Sequence, residues 1–285
     1  MHPTHLVLAD LCYLQTYDAA VIQQAFNSIV HYTEITFDFP QGGCQQRAEI
    51  MSMYLHKKLK IDHCKVWLFA PAALYSGDSR TLFINDKNGL TPHNKIEWNY
   101  HVAPVVRVME NDEVQTMVLD PSIHKNGPIL LEQWFNTIGN SNISQYSFVL
   151  PDRYFFYCSY DYNGLLTTLF DGSFYNYEGL IKNDLILEKG LAINDMALHV
   201  YHNFIAPLMA SANEADKVKL EDLKGIFGNT TALDLLFSQN ISGYTPNTTH
   251  RYVISFYNDI MKEARRLFNE RLGYWTAVTN HLFAL

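Results

Sequence analysis

Tyr100-His101-Val102-Ala103-Pro104-Val105-Val106-Arg107-Val108, then Met109-Glu110-Asn111-Asp112-Glu113, then Val114-Gln115-Thr116-Met117-Val118-Leu119 is the stretch whose reading decides the fold. Two β-type apolar runs flank a polar Asn-Asp centre, which predicts an antiparallel hairpin. Pro121 blocks continuation of the second strand. A turn centred on Asn111 and Asp112 places His101 opposite Ser122 and Asp120 opposite Ala103. Side chains alternate along a strand, so positions 101 and 103 share a face. Asp120 then becomes a same-face diagonal neighbour of His101. A carboxylate there can hold an imidazole in one tautomer and stabilise its protonated form. The same residues are equally well described as a solvated strand-end Asp and an unrelated His.

Upstream, Gln41-Gly42-Gly43 is a turn signal directly ahead of a helical pattern that starts at Cys44. Ala48, Met51, Leu55 and Leu59 recur at helical spacing, with Gln46, Glu49, Ser52 and Lys57 elsewhere on the wheel. A thiol at the first turn of a helix faces unpaired N–H groups and the positive end of the dipole, which favour a thiolate. The Cys44 N–H is also placed to donate to an oxyanion. Taken by itself, the segment is better read as a buried thiol behind an ordinary Gly-Gly turn.

Further out, residues 18–31 read as a helix, Glu34 to Phe39 as a β-type run ended by Pro40, and Lys65 to Ala70 as a strand. Pro71 to Asn94 reads as a long loop or insertion, and the aromatic-rich residues 146–158 as a further strand. Beyond about residue 190 the texture is helical. Ala197, Tyr201, Phe204 and Leu208 form one stripe; Val253, Tyr257, Ile260, Ala264 and Leu267 form another, with a helix stop expected near Gly273. The expected architecture is α+β over residues 1–190, an antiparallel sheet with a nucleophile-bearing helix, followed by an α-helical region over 191–285.

Composition narrows the function classes. The chain has 285 residues, 48% of them apolar and 18% charged, and a formal net charge of −8. That balance suits a folded protein and disfavours a nucleic-acid partner, which needs clustered Lys and Arg. Lys57, Lys58 and Lys60 read as the solvated end of a helix. No run approaches the ~20 apolar residues of a membrane span, and the N-terminal residues lack the pattern of a secretory signal. Cys12, Cys44, Cys64 and Cys158 include no CxxC pair, which fits free thiols. No Gly-rich phosphate loop appears. His199 and His202, three apart on a helix, have no further ligand nearby and read as surface histidines, so no metal and no organic cofactor are expected.

A thiol at a helix start combined with an oriented imidazole is the arrangement of papain-like and transglutaminase-like acyl transfer. The wording of three segments narrows it. Gly43-Cys44-Gln45-Gln46-Arg47-Ala48 resembles the Gly-Cys-x-x-Arg-Ala nucleophile segment of the bacterial protein-glutamine glutaminases. Trp98-Asn99-Tyr100-His101-Val102-Ala103 resembles their Trp-x-Tyr-His-Val-Ala strand. Leu119-Asp120-Pro121-Ser122 is similar to their Asp-Pro-Ser segment, and Gly127-Pro128 has a counterpart.

This resemblance implies a papain/transglutaminase-like α+β fold with Cys44 as nucleophile, His101 as general base and acid, and Asp120 as the orienting carboxylate. Trp98, three residues before His101, reads equally as a residue lining the substrate channel and as core packing, and Gly43 reads as a substrate contact. The implied reaction is hydrolytic deamidation of an exposed glutamine in a protein substrate. Transglutamination, peptidase action and a non-catalytic binding module are the alternatives. The family's secreted members carry an export signal and disulfides, neither evident here, and the resemblance therefore suggests a bacterial effector delivered into a host cell, with the bacterial cytoplasm as alternative. No counterpart of the 71–94 insertion or of the helical region after about residue 190 is recognised in the family. The sequence is silent on oligomeric state.

Overall fold

The computed structural model describes the backbone of residues 4–6, 11–152, 154–160, 166–172, 185–238 and 248–285. In chain order the first half comprises β1 (Thr4–Leu6), β2 (Thr16–Asp18), α1 (Ala19–Tyr32), α2 (Cys44–Met53), β3 (Cys64–Phe69), α3 (Pro71–Leu74), β4 (Leu82–Asn85), β5 (Lys95–Trp98), β6 (Tyr100–Glu110), β7 (Glu113–Val118), β8 (Ile129–Leu130), α4 (Leu131–Thr137) and β9 (Gln145–Val149). A two-stranded ribbon follows, β10 (Tyr154–Tyr160) with β11 (Leu166–Gly172). The remainder is helical: α5 (Ile186–Val200), α6 (Ala206–Met209), α7 (Glu214–Phe227), α8 (Thr230–Leu233), α9 (Thr248–Phe256) and α10 (Asn258–Ala284).

The hairpin forms in the register its turn dictates, with Val105 opposite Val118 and Glu110 opposite Glu113. Asn111 and Asp112 both have positive φ, 51° and 64°, as a tight two-residue hairpin turn requires. Around it the main sheet runs β1-β9-β3-β6-β7-β8, and β2 adds to the far end of β6. The β1–β9 and β2–β6 pairings are parallel and the rest antiparallel.

Both faces of this sheet are covered, which is why β3 and β6 read as almost unbroken apolar runs. One face buries Trp67, Phe69, Val102, Val106 and Val108 under α1, α2 and the C-terminal helices. The other buries Val66, Leu68, Ala103, Val105 and Val118 against Trp134 and Phe135 of α4 and Trp98 of β5. The helices after residue 186 thus share one apolar core with the helix that begins at Cys44.

Four local expectations are corrected. Glu34 to Phe39 is an extended connector and pairs with no strand among the described residues. Its β-type side chains serve packing: Ile35 and Phe39 are buried, and Thr36 Oγ1 donates to Asp195 Oδ1 at 2.5 Å. The 71–94 segment contains α3 and β4, and β4 pairs with β5 from Leu82↔Trp98 to Asn85↔Lys95. Four-residue strands are too short to announce themselves by periodicity. Asp86 closes this segment, accepting from the N–H groups of Asn88, Leu90 and Thr91 and from Gln41 Nε2 at 3.1 Å.

The polar face expected on α2 is also buried, including Gln46, Glu49 and Ser52. Glu49 pairs there with Lys65 of β3, both fully enclosed. Finally, α10 runs straight through Gly273. A Cβ there would meet nothing within 4 Å, so this glycine is a helix-interior position tolerated at about 1 kcal/mol. Among the described residues no helix is long and apolar enough to cross a membrane.

Candidate active site

The helix α2 begins at Cys44 because Gly43, at φ 73° and ψ 18°, turns the chain left-handed immediately before it. A side chain at 43 would be strained by that backbone, and its Cβ would lie 2.1 Å from Asn194 Nδ2 of α5. Arg47, one turn into α2, reaches back beneath this loop. Its Nη1 donates to Gly42 O at 2.7 Å and Phe39 O at 3.3 Å. Cys44 is buried but borders a cleft of about 300 Å³, with Gly43, Trp98, Ile193, Asn194 and Thr231 among the lining residues. Its Sγ–H is directed to Gln45 Oε1, 3.4 Å away.

His101 and Asp120 meet as the hairpin register anticipates. His101 Nε2 lies 2.7 Å from Asp120 Oδ2, and both residues are buried. The same Oδ2 accepts from Trp134 Nε1 at 2.9 Å, and Oδ1 from the Ser122 N–H at 3.2 Å. The imidazole stacks on Trp98 (centroids 4.6 Å apart, planes 12° apart) and faces Trp134 on a second contact at 5.5 Å. Trp98 is itself tied down by donation from Nε1 to Pro40 O at 3.1 Å.

Burial opposes charge on His101, yet the carboxylate of Asp120 and, after it, the neighbouring Cys44 outweigh burial and push the imidazole up to about 9. Burial likewise works against the Asp120 carboxylate; His101, Trp134 and Arg47 overcome it and hold the group below the ordinary range. His101 Nδ1 is buried without a hydrogen-bond partner, and the neighbouring Cys44 adds to the pull of Asp120 on the ring. Burial pulls the Arg47 pKa down, against the opposing pull of Cys44 and Asp120.

The structure therefore gathers Gly43, Cys44, Trp98, His101 and Asp120 at one end of the sheet. The sequence reading did not single out Trp134, Arg47 as a brace, or Asn194. Cys64 is buried and its thiol is pushed up by burial, so it is an inert packing residue; the side chains of Cys12 and Cys158 lie outside the described residues. His199 has Glu263 Oε1 at 3.7 Å. No group of three or more His, Cys, Asp or Glu side chains among the described residues is arranged to hold a metal.

Residues 20–138 match the family model described as glutaminase. The segment is glutaminase-like. The likeness first drawn from three short motifs thus extends over a continuous stretch containing Cys44, Trp98, His101, Asp120 and Trp134. Among solved structures, the protein-glutaminase from Chryseobacterium proteolyticum is 18% identical with a TM-score of 0.42, covering 65% of this chain and 89% of that one. A crystal structure of protein-glutaminase is 19% identical at TM-score 0.42, over 64% and 87%. A pro-protein-glutaminase is 21% identical at TM-score 0.40, over 57% of each chain. No curated protein matches.

Proposed function

We propose that the protein deamidates glutamine side chains of a protein substrate through a thioester on Cys44. The observation that carries this reading is the buried Asp120–His101 hydrogen bond of 2.7 Å, beside a helix-initial cysteine on a cleft wall, inside the glutaminase-like segment.

In this mechanism His101 Nδ1 takes the Cys44 proton, and the thiolate attacks the carboxamide carbon. A C–S bond forms and the carbonyl electron pair moves to oxygen, where the Cys44 N–H at the start of α2 donates to it. Collapse of this intermediate breaks the C–N bond, and the imidazolium delivers its proton to the departing ammonia. Water, deprotonated by His101, then adds to the thioester, the C–S bond breaks, and the product is a glutamate. Asp120 keeps the proton on Nε2, so that Nδ1 remains the nitrogen facing the sulfur. Trp98 and Trp134 enclose the imidazole and shield it from water, which strengthens the ion pair. Each turnover gives the target surface one additional negative charge.

The test is to incubate the protein and its Cys44→Ala variant with a glutamine-containing peptide, following ammonia and peptide mass. Ammonia release with conversion to the acid, lost in Cys44→Ala and His101→Ala, is the expected result. Amine incorporation in place of water marks transglutamination, and backbone cleavage marks a peptidase. Full activity in Cys44→Ala overturns the mechanism.

A further inference from the structure

We propose, resting on the deamidase reading of this site, that Asn194 is a catalytic residue: its side-chain N–H is the second donor to the oxyanion, alongside the Cys44 backbone N–H. Asn194 lies on α5, outside the segment that matches the glutaminase family. It is 3% exposed, and its Nδ2 is buried without a hydrogen-bond partner. A buried amide donor left unpaired carries a desolvation cost, so its presence calls for a partner that arrives from elsewhere. Asn194 lines the same cleft as Cys44. Its Nδ2 abuts Gly43, the residue immediately before Cys44, at the distance where a Cβ would collide.

The placement is built into two helices. Gly190 of α5 lets Gln46 of α2 approach so closely that a Cβ would meet Gln46 Cδ at 2.5 Å. One turn further along α5, on the same face, Asn194 meets Gly43, three residues before Gln46 on the other helix. The adjoining Asp195 fixes the helix rotation, since it accepts from Thr36, Arg271 and Trp275. A neutral carboxamide suits the role because it donates to a developing negative charge without placing a charge of its own beside the thiol. A donor held in place before the reaction needs no reorganisation when the charge appears. Substrate oxygen would supply the missing acceptor, and Gly43 is small enough to leave the amide beside the attacked carbon.

The experiment compares wild type, Cys44→Ala, Asn194→Ala and Asn194→Asp in the full-length protein. Three readouts are ammonia release from a glutamine peptide, alkylation of Cys44 by iodoacetamide, and affinity for the same peptide with the glutamine carboxamide replaced by an aldehyde. Asn194→Ala is expected to lower kcat about 10²–10³-fold with KM changed by less than about threefold. Its alkylation rate should stay within about twofold, because alkylation at a CH₂ carbon generates no oxyanion. The aldehyde, which forms a tetrahedral adduct, should bind at least about tenfold more weakly. Asn194→Asp should be worse still, and the melting temperature of Asn194→Ala should be unchanged or higher, since an unpaired buried amide is removed.

A kcat within about threefold of wild type overturns the proposal. So does a parallel fall in kcat and alkylation, which would mark a structural role. If wild type itself releases no ammonia, the deamidase reading fails separately. The aldehyde arm then decides the donor role: weaker binding to Asn194→Ala upholds it, and equal binding overturns it.

Discussion

Replacing Asp120 with Asn removes one charge and leaves nearly the same shape, which makes it the sharpest probe of the buried pair. In the wild type His101 titrates at about 9, up from an ordinary 6.5. That displacement corresponds to about 3 kcal/mol in favour of the protonated ring. Burial alone lowers a histidine, so without the carboxylate His101 falls to the ordinary value or beneath it. The ammonia-release rate at neutral pH should then drop about 10²–10³-fold, because the protonated partner of the thiolate is no longer stabilised.

Stability changes in the same direction. A raised folded-state pKa contributes stability that is fully present below 6.5 and is lost as pH rises through about 9. Urea unfolding of wild type should therefore lose about 3 kcal/mol from this group across that window, and Asp120→Asn should lose almost none. The His101 titration is read by NMR of its ring protons, and the rate by ammonia release. An Asp120→Asn protein whose His101 still titrates at about 9, with turnover intact, refutes the assignment of Asp120 as the counter-ion.

His63 is buried, bonded through Nδ1 to Ile61 O at 2.9 Å, and held down to about 3 chiefly by burial. Its contribution is present above 6.5 and is lost as pH falls towards 3; between pH ~6.5 and ~4.5 it should cost wild type about 2–3 kcal/mol by urea unfolding, a loss that His63→Met should not share. At the enclosed Glu49–Lys65 pair, Glu49→Ala should destabilise by about 3–5 kcal/mol. The double variant Glu49→Met/Lys65→Met should recover most of that in thermal unfolding, and equal loss in single and double variants would contradict the pairing.

His101 and Asp120 are legible in the sequence because a two-residue turn and strand alternation fix which residues share a face. Cys44 is legible because Gly42-Gly43 mark where a helix must begin. Trp134 is not, since its indole reaches Asp120 from α4 on the far side of a proline-containing loop. Asn194 is further out of reach: one of several asparagines in the chain, it meets Gly43 only because two helices pack face to face. The burial of Glu49 is not legible either: it lies off the apolar stripe of α2, and its partner Lys65 belongs to a strand, β3, that only the fold brings against it. Gly273 is ambiguous for a different reason, because glycine in an open helix position and glycine at a helix end look the same in one dimension.

The cleft beside Cys44 is walled by residues whose chain positions lie far apart, from Gly43 and Trp98 on one side to Asn194 and Thr231 on the other. A nascent chain therefore emerges with its thiol, imidazole and carboxylate already made, yet with one wall of the cleft still to be synthesised. Such long-range closure is slow to form, and the cleft is complete only once α5 and α8 have packed against the start of α2.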